Sequence, residues 1–296
     1  LPFSVWDLFW AGLILLFLVS LSGVFLKKIR VMTFLISSGR AIAIMLAWFY
    51  FSWGFNYFRP ALSQRMGFEV KEVDDEAFRS SLDSVIAFVN SNYCTIDHAD
   101  YDEIDSAVEK SYSLQAALAD INYPNGSSRP KEMIFSNLIA KFGISGYFGP
   151  FFSEINLNRK ILPMEYPFLL AHEKAHQFGV AGEADANLAA WLVCSESVDR
   201  KLRYSAGFCL MLYFLEDAQY LDDYDDYLES LDSRVLDELR FRQQYYYGIQ
   251  NEAMESAHEM VYDAYLKGNN VSRGIENYNQ VVELYISWKE HNSLQF

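Results

Sequence analysis

Two long apolar runs open the chain, and polar positions return at helical spacing only after them. Residues 8–26 are uncharged for 19 positions and residues 41–58 for 18. About 20 apolar residues carry an α-helix across a bilayer, so the runs predict transmembrane helices over about 5–26 and 38–58. Lys27, Lys28 and Arg30 fill the tight connection, and Arg40 interrupts the start of the second apolar region. Four of the six tryptophans (Trp6, Trp10, Trp48 and Trp53) lie within the first 53 residues, mostly towards the ends of the runs. That is where an aromatic belt at a membrane interface belongs. The alternative, a buried hairpin in a soluble protein, would have to bury two such runs joined by a basic loop. By the positive-inside rule the connection is cytoplasmic, and the chain after Phe58 lies outside the cytoplasm. The opening LPFSVWD has no basic n-region and so does not read as a signal peptide. The chain is expected to begin inside a longer precursor.

From Pro60 onward the spacing predicts one mainly helical domain. Helices are expected over 74–92 and 101–120, followed by a Pro/Gly/Asn/Ser-rich loop over 121–131. Residues 143–158, with their glycines, Pro150 and alternating apolar positions, predict strands. A loop with Pro163 and Pro167 leads into a helix over 168–178, and further helices follow over 183–200 and 205–221. An acidic, tyrosine-rich stretch over 216–232 precedes helical patterns that run to Asn292. The expected architecture is α+β and mainly helical with a small sheet, a membrane anchor over 1–59 and an extracytoplasmic domain over 60–296.

Charge adds one exclusion. The chain is at −15; residues 1–59 hold five basic side chains and one acidic one, which leaves 19 basic and 38 acidic side chains beyond them. A domain at −19 repels phosphates, so nucleic acid is not expected as a partner. Cys94, Cys194 and Cys209 form no C-x-x-C pair. Cys194 and Cys209 lie in apolar segments and read as buried thiols, with a bridge between them open in an oxidising compartment.

The chemistry concentrates in HEKAHQFGVAGEADAN, residues 172–187. His172 and His176, four apart, share one helix face, and both imidazoles can bind one Zn²⁺. Glu173 points to the neighbouring side, where it can hold and deprotonate a water without being a ligand. The alternative is a pair of core histidines on a partly exposed helix. A hydrolytic zinc needs a third protein ligand and an open position, and Glu183 and Asp185 are the nearest candidates. On a continuous helix Glu183 would lie roughly 10 Å along the axis from His176, yet donors on one tetrahedral zinc stand about 3–3.5 Å apart. The helix must therefore break and double back, and Gly179 and Gly182 stand where glycine would supply the positive φ that a break requires. Glu183 then opens a second helix and is the favoured ligand. Asn187, one turn on, can hydrogen-bond a ligand. Asp185 faces elsewhere and reads as a supporting residue or as a first-turn acid favoured by the helix dipole. Tyr262, Tyr265 and Tyr278 are candidates for stabilising an oxyanion.

HEKAHQFG followed by EADAN resembles the HExxH…ExxxN/D arrangement of gluzincin zinc metallopeptidases. The chain also resembles an uncharacterised bacterial family of membrane-anchored HExxH proteins, classed as a domain of unknown function. That likeness is carried by WGFNYFRP (53–60), GYFGPFFSEINLN (146–158), HEKAHQFGVAGEADAN (172–187) and YLKGNN…GIENYNQVV (265–282). The resemblance implies a zincin-like fold, a zinc site of His172, His176 and Glu183, and Glu173 as general base. It also implies a strand within 146–158 edging a cleft, where an extended peptide could add. The gap from His176 to Glu183 is shorter than in typical gluzincins. It is nearer that of metzincins, whose third histidine would fall at Gly182, so that assignment fails.

The function expected is a membrane-anchored zinc metallopeptidase at the bacterial inner membrane, cleaving a peptide or protein substrate outside the cytoplasm with a zinc-activated water. Two other readings remain: a non-catalytic zinc-binding membrane scaffold, and a zinc hydrolase of non-protein amides.

Overall fold

The computed structural model describes residues 3–124, 129–269, 271 and 280–293. Two helices come first, α1 (Val5–Phe25) and α2 (Val31–Ser52), each long and apolar enough to cross a membrane. α2 buries no residue and α1 buries only Asp7 and Gly23. Neither contributes to the hydrophobic core, which begins at Leu62. α2 starts and ends earlier than the 38–58 expected from its uncharged run. Arg40 lies inside the helix rather than at its border, because a long basic stem can run along an apolar surface while its head seeks water. The connection between the helices is closed by Lys27 in the left-handed region, φ 57°. There Lys28 N–H donates to the Gly23 carbonyl (2.8 Å) and Lys27 N–H to that of Val24 (2.9 Å), the Schellman pattern of a helix end.

The remaining α-helices among the described residues are α3 (Leu62–Met66), α4 (Asp75–Asn92), α5 (Tyr101–Gln115), α6 (Ser136–Ile139), α7 (Tyr166–Gln177), α8 (Glu183–Ser195) and α9 (Arg200–Ala218). They are followed by α10 (Tyr224–Glu229), α11 (Ser233–Tyr247), α12 (Glu252–Gly268) and α13 (Gln280–Ser293). The sheet has three short strands, β1 (Lys131–Glu132), β2 (Gly146–Gly149) and β3 (Glu154–Leu157), in the order β1-β3-β2. β3 is central, parallel to β1 and antiparallel to β2, with Tyr147 opposite Asn156. The mainly helical expectation with a small sheet holds. The helix expected over 183–200 stops at Ser195, and the one expected over 205–221 begins at Arg200, where Asp199 caps it by accepting from Lys201 N–H at 2.8 Å.

α7 and α8 lie at the centre, each packed on the other and on α9. Ala171, Ala175, Ala186, Ala189 and Ala190 are fully buried there; side chains this small let helix backbones approach closely. Cys194 and Cys209 are buried free thiols, with no bridge between them.

Both apolar helices are tied into the domain. The Glu154 carboxylate accepts from Val5 N–H (2.9 Å) and Trp6 N–H (3.1 Å) at the start of α1, the helix end that favours negative charge. Asp7 accepts from Ile134 N–H (2.6 Å) and from the Tyr147 hydroxyl. At the far end of α2, Trp53 Nε1–H donates to the His176 carbonyl (2.7 Å) and the Arg59 guanidinium to that of Gly179 (3.2 Å).

Candidate metal centre

α7 begins with Pro167 in its first turn, where the missing N–H costs nothing. It ends in a second Schellman turn: Val180 N–H donates to the Ala175 carbonyl and Gly179 N–H to that of His176, both at 3.0 Å. Gly179 sits at φ 88°, and a Cβ there would meet Arg59 Nη1 and Asn56 Oδ1 at 2.8 Å. The expected break is therefore at Gly179. Gly182 differs from expectation: it is extended (φ −76°, ψ 138°) and precedes α8 as its cap, so positive φ is not its role. After this turn Glu183 starts α8, folded back beside His172 and His176.

The three side chains converge. His172 Nε2 and His176 Nε2 are 3.1 Å apart, and Glu183 Oε2 lies 3.1 Å from the first and 3.4 Å from the second. All three residues are buried. The far side of each imidazole fixes which nitrogen carries the proton. His176 Nδ1 lies 2.8 Å from the Val180 carbonyl oxygen, which only accepts, so Nδ1 holds the hydrogen. His172 Nδ1 lies 2.8 Å from Asn187 Oδ1. That amide is oriented by its own Nδ2–H, which donates to the Tyr213 hydroxyl at 3.1 Å. In the neutral rings both Nε2 atoms therefore present lone pairs to one point, joined there by a carboxylate oxygen.

Such a set calls for positive charge. Burial lowers the proton affinity of His176, but Glu183 overrides it and pushes the pKa up to about 9. Burial would raise Glu183, but His176 and His172 hold it well below the usual carboxylate range. A divalent cation would satisfy all three donors at once, and separations of 3.1–3.4 Å match the ~3.3 Å between donors around a tetrahedral ion.

Glu173 stands beside the cluster rather than in it. Burial raises its carboxyl pKa against the opposing pull of His172 and His176. It accepts from the Phe148 N–H of β2, while its Oε2 is buried with no hydrogen-bond partner among the described residues. An orphaned buried carboxylate oxygen is costly, and it marks where a water or substrate group belongs. Gly146 makes this approach possible, since a Cβ there would lie 2.8 Å from Glu173 Oε1.

Asp185 turns away and accepts from Leu62 N–H at 3.0 Å, next to the start of α3. Asn187 holds His172, as the i+4 spacing suggested. Of the tyrosines, Tyr262 donates to Glu183 Oε1 at 2.5 Å. Tyr265 lies 3.2 Å from the Tyr57 hydroxyl, and Tyr278 lies outside the described residues. The sequence placed Trp53 in an interface belt and gave neither it nor Arg59 a role at this site, although WGFNYFRP stood out; both grip the turn that ends α7. Tyr213 had no local signal at all.

The cluster lines a cavity of about 1240 Å³, together with Glu173, Tyr262 and residues of both apolar helices.

The fold and site together define a mainly helical protein with two apolar N-terminal helices and a buried His-His-Glu cluster lining a cavity. The chain belongs to the family described as "Protein of unknown function (DUF3810)", whose model matches residues 1–286. No curated protein and no solved structure matches the chain.

Proposed function

We propose that the protein is a membrane-anchored zinc metallopeptidase of zincin-like type, acting outside the cytoplasm. His172, His176 and Glu183 hold the zinc, and Glu173 is the general base. The observation that carries this reading is the convergence of two Nε2 atoms and a carboxylate oxygen beside a buried carboxylate whose second oxygen has no partner among the described residues. Two nitrogens and one oxygen are a donor set suited to zinc. When bound, zinc supplies Lewis acidity, polarising the scissile carbonyl and lowering the pKa of water.

This chain's own residues do the rest. Asn187 and the Val180 carbonyl hold the two imidazoles in the ligating tautomer. Glu173 holds a water at Oε2, takes its proton, and passes that proton to the departing amine nitrogen. Tyr262 gives its one O–H to Glu183 Oε1; on turning from that carboxylate into the cavity, the hydroxyl would donate to a developing oxyanion. The open cavity favours this reading over a scaffold with a closed metal site.

The test is Glu173→Gln. The variant should keep its metal and lose about 10²–10⁴ in peptide hydrolysis, read by mass spectrometry on a digest of mixed peptides. Hydrolysis at the parental rate would refute the mechanism.

A further inference from the structure

The cavity holding the metal cluster is not confined to the domain. The same cavity is lined by Trp10 of α1 and by Ile42, Met45, Leu46 and Phe49 of α2. Ile42 lies ten residues before Ser52, so this wall descends ~15 Å below the end of α2, well into its apolar run. Ile42 and Leu46 are 53% and 54% exposed and Trp10 is 38% exposed. On helices that span a bilayer, side chains left uncovered by protein face hydrocarbon. One continuous space thus runs from Glu173 and the cluster to the exposed apolar side chains of α1 and α2.

The junction is held firmly. Glu154 and Asp7 fix the start of α1 to the sheet. Trp53 and Arg59 fix the end of α2 to the turn after α7. Between them, Trp48 stacks on Phe151 at 4.8 Å and Trp6 packs over Gly149, where a Cβ would strike its ring at 2.9 Å. The cluster therefore sits at the level where the two apolar helices enter the domain.

β2 supplies the third element. It is an edge strand, and Asn158 N–H donates to the Ser145 carbonyl at 2.8 Å on its paired side. Ladder bonds alternate along an antiparallel strand, so Gly146 and Phe148 turn their backbone groups outward, towards Glu173; the Phe148 N–H is taken by that carboxylate, which leaves the Gly146 groups and the Phe148 carbonyl to a pairing strand. An extended peptide pairing with that edge would lay an amide across the site.

We infer that the substrate is a membrane protein cut in its juxtamembrane stretch: the stretch pairs with β2, and its apolar, bilayer-buried flank occupies the groove of Trp10, Ile42, Met45 and Leu46. This rests on the peptidase reading above. In the reaction water adds across the peptide C–N bond; the acyl carbon keeps the oxygen as a carboxylate, and the amine nitrogen leaves with a proton.

The experiment uses the full chain, zinc-loaded, in proteoliposomes. A randomised ten-residue stretch is presented either ahead of an inserted apolar helix or tethered to a phospholipid headgroup, at equal surface density. Cleavage is read by mass spectrometry. Inserted members should be cut at least tenfold faster, and Leu46→Trp, which narrows the groove, should collapse that ratio. Equal rates for the two formats, faster cutting of the lipid-tethered format, or a ratio unmoved by Leu46→Trp would overturn the inference and leave the peptidase standing. A photo-crosslinking residue at position 45, in the Glu173→Gln background, reads groove occupancy without turnover. It should capture inserted members and not tethered ones. Capture without any cleavage by the parental chain would sink the peptidase reading and keep the groove as a binding site; no capture of inserted members would sink the groove.

Discussion

His172 Nε2 and His176 Nε2 lie 3.1 Å apart, and in the neutral rings neither carries a proton, because Asn187 Oδ1 and the Val180 carbonyl each take the hydrogen of the opposite nitrogen. Lone pairs are not left facing one another in a buried site without something positive between them. The functional account grows from this relationship.

Asn187 acts through His172. Asn187→Ala should weaken zinc binding about 10- to 100-fold, measured by competition with a chromophoric chelator. Asn187→Asp keeps an acceptor at the same place and should retain most of the affinity. Equal affinities for the Ala variant and the parent would remove Asn187 from the account.

Tyr262 touches Glu183, the proposed third ligand, and lines the cavity. Tyr262→Phe should lower kcat by about 10² or more, as loss of an oxyanion donor does, with zinc content and KM little changed. A variant that loses its zinc instead would assign Tyr262 to holding Glu183 rather than to the reaction.

Gly146 is a contact between β2 and Glu173, the proposed general base. The Cβ of Gly146→Ala would fall 2.8 Å from Glu173 Oε1 and 3.0 Å from Leu157 Cδ2, so the carboxylate must move. Hydrolysis should fall at least tenfold while zinc stays bound; an active Ala variant would mean that Glu173 works from another position.

Gly179 is a test of the turn alone. Its φ of 88° and the close Arg59 and Asn56 side chains disfavour any Cβ. Gly179→Ala should cost about 1–2 kcal/mol in chemical denaturation of the detergent-solubilised chain, and should loosen zinc binding with it. Unchanged stability would mean that the turn relaxes without penalty.

Much of the site was legible because its logic is local. The i, i+4 spacing put both imidazoles on one face, and the length of a straight helix demanded a break before Glu183 could join them. The sequence could not say which glycine makes that break. Gly179 takes the left-handed conformation and Gly182 does not, and the turn at Gly179 is gripped by Arg59 and Trp53 from more than a hundred residues away. α2 was misplaced by several residues because Arg40 looked like a border and is an interior position. The docking of α1 on the sheet through Asp7 and Glu154 was not legible at all. It joins residues 127 to 149 positions apart, and no periodicity encodes such pairings.

The most direct test is the metal itself. Protein extracted from membranes without chelator should contain one zinc per chain. X-ray absorption at the zinc edge should show two imidazole nitrogens and a carboxylate oxygen, and His176→Ala should empty the site. A chain without metal, or one whose zinc survives the loss of both His172 and His176, would contradict the account.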